Sequence, residues 1–63
     1  MKRFRIYENQ LRLLTETDDY IEAVKQMKRA HKQKPNKYHE LYQLIDGQYI
    51  GIRQYKPGDK VRW

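Results

Sequence analysis

The chain has 63 residues, fourteen Lys and Arg against eight Asp and Glu for a formal net charge of +6, and no cysteine. That length holds one small domain, able to bury roughly 60% of the surface its unfolded chain exposes, and the missing thiols exclude disulfide staples and thiolate metal sites. No apolar run approaches the ~18 residues of a membrane span, and the basic start MKRFRIYENQ lacks the apolar stretch of a secretory signal.

The absence of cysteine suits a cytoplasmic protein. A mean hydropathy of -1.19 borders on the composition of disordered chains. Hydropathy scales nevertheless score tyrosine as polar, and a tyrosine ring buries a large apolar area. The chain has six tyrosines, and its apolar residues fall in ordered runs, so a folded domain is expected. The cationic excess favours anionic partners: nucleic acid, an anionic membrane surface or an acidic protein.

Residues 2–8, KRFRIYE, alternate. Phe4 and Ile6 point one way and Arg3, Arg5 and Tyr7 the other, which predicts a strand with one apolar face. Glu8-Asn9-Gln10 reads as a turn without the usual glycine. LRLLT follows as a second strand, with Leu11 and Leu13 on one side and Arg12 and Leu14 on the other.

A helix is predicted over about residues 18–33. Asp19 is its expected N-cap and Glu22 the third-position acid of a capping box. Tyr20, Ala23, Val24, Met27 and Ala30 or His31 recur at helical spacing. Pro35 ends the helix, because a residue before proline avoids the helical region.

The next stretch reads as a hairpin turned by Asp46-Gly47, since a two-residue type I′ turn needs positive φ at both central positions. The implied register sets Tyr42 opposite Gly51, Leu41 opposite Ile52, Glu40 opposite Arg53 and Tyr38 opposite Tyr55. One face then carries Leu41, Ile45, Ile50 and Ile52, and the other Tyr38, Tyr42, Leu44, Tyr49 and Tyr55. Pro57-Gly58 predicts a type II turn, and KVRW a short fifth strand that docks Trp63.

These elements predict an α+β domain: an antiparallel sheet of four or five strands, order β-β-α-β-β, with one helix on one face. Ile6, Leu13, Val24, Met27, Leu41, Ile45, Ile50 and Ile52 are the expected core. One helix cannot cover both sheet faces. The other face is expected to expose Arg3, Arg5, Tyr7, Arg12, Tyr38, Tyr42, Tyr49, Arg53 and Tyr55.

Rings interleaved with arginine suit single-stranded nucleic acid, where bases stack and guanidinium groups meet phosphate. The same tyrosines also serve as ordinary cross-strand pairs or as a homodimer interface. The glycine-aromatic signature of RNA-recognition sheets is absent.

Lys25, Lys28, Arg29 and Lys32 form a second basic stripe along the helix, extended by Lys34 and Lys37. Such a stripe follows a phosphate backbone, or simply complements the helix dipole as a solvated face. Catalytic signals are nearly empty. The chain has no serine and no cysteine, and its two histidines show no ligand spacing.

The reading is a small non-enzymatic basic protein without cofactor or metal. It binds DNA or RNA mainly electrostatically, with little base specificity. Single strands are assigned to Arg3, Arg5, Tyr42, Tyr49 and Arg53, and a duplex to Lys25, Lys28, Arg29 and Lys32. The alternative is a protein-binding adaptor or inhibitor, of the kind carried by phages or mobile elements, using the tyrosine-rich face.

Overall fold

The computed structural model describes residues 1–62 and contains the expected β-β-α-β-β order. The strands are β1 (Phe4–Glu8), β2 (Arg12–Thr17), β3 (His39–Ile45) and β4 (Gln48–Tyr55), and the helix is α1 (Tyr20–Gln33). They form one antiparallel four-stranded sheet in the order β2-β1-β3-β4. Residues 60–62 are not a strand, so no fifth strand joins the sheet among the described residues, and the expected docking of Trp63 lies outside them.

Local chemistry accounts for the element ends. Asp19 caps α1 by accepting a hydrogen bond from the Ile21 amide at 3.0 Å. Glu22 does not complete a capping box; its carboxylate accepts from the Gln26 side chain one turn on. Asp46 and Gly47 both have positive φ, 50° and 81°, as the type I′ turn between β3 and β4 requires.

The β1–β2 turn uses positive φ at Asn9 and Gln10, 54° and 64°. Asparagine tolerates that region better than most residues, and β3 supports both positions. Asn9 and Tyr38 exchange hydrogen bonds, and the Gln10 amide donates to Glu40 Oε1 at 3.0 Å.

The core lies between α1 and the centre of the sheet. Phe4, Ile6, Ala23, Met27 and Leu41 are buried, and Leu14, Val24 and Tyr55 pack against them. Four expected core residues are corrected: Leu13, Ile45, Ile50 and Ile52 are 42%, 38%, 44% and 36% exposed.

Two β-bulges explain half of that difference. Between β1 and β2, Ile6 pairs with Thr15 but Tyr7 with Leu13. Leu14 is the inserted residue and packs on the core, while Leu13 shares the outer face with Tyr7. Between β3 and β4, Tyr42 pairs with Gly51 but Leu41 with Arg53. Ile52 is the inserted residue there, and every later residue of β4 changes face relative to the unbulged register. Ile45 and Ile50 do lie on the helix side, opposite Gln48 and Gln43. They stay exposed because α1 packs mainly over β1, β2 and β3 and meets β4 near its far end, at Tyr55.

Candidate nucleic-acid interface

The sheet face away from α1 carries two aromatic assemblies. On β1 and β4, the Arg5 guanidinium lies 4.0 Å from the Tyr49 ring centroid. Arg5 also pairs with Glu16 on β2 at 2.9 Å, and the Tyr49 hydroxyl donates to the Lys2 carbonyl at 2.6 Å. Beside them, the Tyr7 and Tyr42 rings meet edge to face at 5.4 Å. Strand pairing places Tyr42 directly opposite Arg5, so the four side chains are contiguous. Each is half-buried, held by its neighbours and open on one side.

Arg3, just ahead of β1, is exposed and its amide donates to Asp18. Tyr38, also assigned to this face, precedes β3 and is tied by its peptide groups to Asn9. The β4 bulge removes two expected members. Arg53 pairs with Leu41 on the helix side, and Tyr55 pairs with His39 there. Arg12 pairs with Glu8, also on the helix side, and approaches its carboxylate at 3.9 Å. The single-strand group thus divides: Arg5, Tyr42 and Tyr49 share the outer face, the Arg3 guanidinium lies 5.9 Å from the Phe4 ring centroid, and Arg53 is on the helix side.

Lys25, Lys28, Arg29 and Lys32 run along the solvent side of α1, with Lys25, Arg29 and Lys32 exposed and Lys28 half-buried. The two cationic surfaces therefore face opposite directions. Among the described residues no group of three or more His, Cys, Asp or Glu is arranged to hold a metal ion, and no helix is long and apolar enough to cross a membrane. Comparison of the chain with protein-family models, with curated proteins and with solved structures found no match.

A third assembly, with no counterpart in the sequence pattern, lies under the sheet. His31 and His39 are fully buried, and their Nδ1 atoms are 2.7 Å apart. His39 Nε2 meets Glu8 Oε2 at 3.2 Å, and His31 Nε2 meets the Asp59 carbonyl at 3.0 Å. Tyr55 stacks on the His31 ring at 5.0 Å.

A carbonyl only accepts, so His31 Nε2 carries a proton. An ionised Glu8 likewise requires a proton on His39 Nε2. Two Nδ1 atoms at 2.7 Å then need one further proton between them. Burial opposes the ionised Glu8, but the His39 hydrogen bond and the Lys37 and Lys34 charges outweigh it and hold its carboxyl below the usual range. Burial pushes the His39 pKa down against the Glu8 hydrogen bond, which opposes a charged imidazole there.

Glu40 is a separate buried acid on the outer side of β3. Its Oε1 accepts from Gln10, while Oε2 is buried with no hydrogen-bond partner among the described residues. Burial raises its pKa, and the Gln10 amide only partly opposes this. The residues Gln10, Glu40, Tyr42, Ile52 and Gln54 line a shallow cleft beside the tyrosines. A glutamate between a histidine and a leucine gives no sequence signal of such burial.

Proposed function

We propose that this chain is a small non-enzymatic protein that binds single-stranded nucleic acid on the outer sheet face. The observation that carries this reading is the contiguous set Arg5, Tyr7, Tyr42 and Tyr49, with the Arg5 guanidinium over the Tyr49 ring at 4.0 Å. Planar rings and a planar cation, fixed by β1, β3 and β4, suit unstacked bases and the phosphates beside them. The net charge of +6 supplies long-range attraction. Lys25, Lys28, Arg29 and Lys32 make a weaker, sequence-blind surface for duplex phosphate on the opposite side.

The buried histidines support a structural role rather than catalysis. Both are fully buried, so no substrate reaches either ring without opening the core.

Fluorescence anisotropy with single-stranded RNA, single-stranded DNA and duplex DNA at two salt concentrations tests the proposal. Single strands are expected to bind more tightly than duplex, and binding weakens as salt rises. Tyr42→Ala or Tyr49→Ala is expected to weaken single-strand binding by about 5–150-fold, the worth of one stacked base, and to leave duplex binding unchanged. Equal losses for both ligands would remove the stacking platform from the reading. Sedimentation provides a second check. A stable dimer that Tyr49→Ala dissociates would mean the rings form an interface between copies.

A further inference from the structure

The uncovered side of β4 forms a second surface, with different chemistry. β4 is the last strand in the sheet, so the N–H and C=O groups on its far edge face no neighbouring strand. Natural edges are blunted by charge, bulges or cover. Here the bulge lies at Ile52, and the stretch from Gln48 to Gly51 before it pairs regularly with β3. Just past the bulge, between α1 and Arg53 of β4, lies a groove of about 290 Å³ lined by Tyr20, Ile21, Val24, Lys25, Lys28 and Arg53. Ile21 is 65% exposed, and Ile50 on the same side of the sheet is 44% exposed.

The groove's floor is apolar, and every charged side chain that lines it is a cation. Arg53 and Lys25 are exposed and have no carboxylate partner among the described residues. A free strand edge, an adjacent apolar groove and a cationic rim specify one kind of occupant. We propose that β4 accepts an extended acidic segment of a partner protein as a fifth strand. Its alternate apolar side chains pack on Ile50 and enter the groove against Ile21 and Val24, and its flanking carboxylates meet Lys25 and Arg53.

Backbone hydrogen bonds would hold such a segment, and the side-chain spacing of a strand would set its register. A second copy of this chain is disfavoured as occupant, because it brings the same cations and a net charge of +6 to the contact. Nucleic acid has no use for the aliphatic floor. The groove lies on the helix side, so this site is independent of the tyrosine face.

The test is an NMR titration of the isotope-labelled full chain with a defined ten-residue peptide. Two alternate valines are flanked on the same face by glutamates. Two control peptides carry lysine in place of glutamate, or N-methyl groups on the amides that would face β4. The acidic peptide is expected to shift resonances of residues 48–53 and 20–25 and to leave Tyr7 and Tyr42 unmoved.

Both controls are expected to bind at least about tenfold more weakly, a difference of about 1.4 kcal/mol. Arg53→Glu and Ile21→Asp are expected to produce similar losses, and both positions are exposed enough to leave the fold intact. Equal binding of the lysine peptide would overturn the charge assignment. Unchanged binding of the N-methyl peptide would overturn strand addition. Absence of shifts at millimolar peptide, or concentration-dependent self-association that covers residues 48–53, would overturn the site.

Discussion

The two faces of the sheet put the same residue types, aromatic rings beside charged groups, to opposite uses. On the helix side, Glu8, His39, His31 and Tyr55 form a sealed chain that ends on the Asp59 carbonyl. On the outer side, Arg5, Glu16, Tyr7, Tyr42 and Tyr49 touch one another but stay half-open. A buried polar group without a partner costs far more than an exposed one gains from having one. The inner cluster therefore determines stability. The outer cluster tolerates change in the fold, and its changes show in binding.

That contrast also explains how the C-terminal turn is anchored. The Lys56–Asp59 turn is closed by a 3.0 Å backbone bond, with Gly58 at φ 88°. It is fastened to the end of α1 by the His31 bond and by the Gly58 amide donating to the Pro35 carbonyl at 2.8 Å. The sealed chain thus joins β1, β3, α1 and the last turn.

The largest effect is expected at the apolar centre of the inner side. Leu41→Ala should cost about 2–5 kcal/mol, as truncation of other buried aliphatics does, and a denaturant titration measures it. A loss below about 1 kcal/mol would show that the core is not centred on β1 and β3.

Next comes His39→Ala, expected to cost about 1–3 kcal/mol because it strands His31 Nδ1 and leaves Glu8 without its buried donor. The same titration reads it, and the His31 ring-nitrogen shift should change with it. An unperturbed His31 would contradict the 2.7 Å contact between the two rings.

The two buried glutamates sharpen the comparison, because their shifts have opposite signs. Glu8 has a lowered pKa, so its contribution is present above the ordinary glutamate range and is lost as pH falls through its folded value. Glu40 has a raised pKa, so the fold favours its neutral form, and stability is lost as pH rises through its folded value. Glu40→Gln should therefore gain about 1 kcal/mol near neutral pH and nothing in acid, where the native carboxyl is already neutral. Glu8→Gln should instead lower stability near neutral pH and flatten the acid limb of the melting profile. Thermal melts across pH distinguish the two. Identical profiles for both variants would contradict the assigned signs.

The smallest effect is expected at Ile50→Ala, below about 1 kcal/mol despite its aliphatic side chain, because the group is already largely in water. A loss comparable to that of Leu41→Ala would mean that something covers β4 in solution.

Several features were legible in the sequence because neighbours in the chain determine them. Asp46-Gly47 set the turn, and with it the register as far as Tyr42 opposite Gly51. Asp19 set the start of α1, Pro35 lay just beyond its end, and the 3.6-residue spacing chose Val24 and Met27 for its inner side. Arg5, Tyr42 and Tyr49 followed from alternation along strands on the near side of each bulge.

Tertiary structure decided what alternation cannot encode. A period-two pattern has no mark for an inserted residue, so alternation placed Leu13 in the core where β2, fitted to β1 and α1, places Leu14. One insertion at Ile52 likewise moved Arg53 and Tyr55 to the helix side. His31 and His39 meet only because α1 crosses the sheet, and Glu8 joins them from 31 residues away. The sequence by itself determined the order of elements, their turns and caps, and the residue types on each strand. Which face β4 presents beyond its bulge, and which charges are sealed inside, depended on packing between segments distant in the chain, where a single inserted residue reverses every side chain that follows.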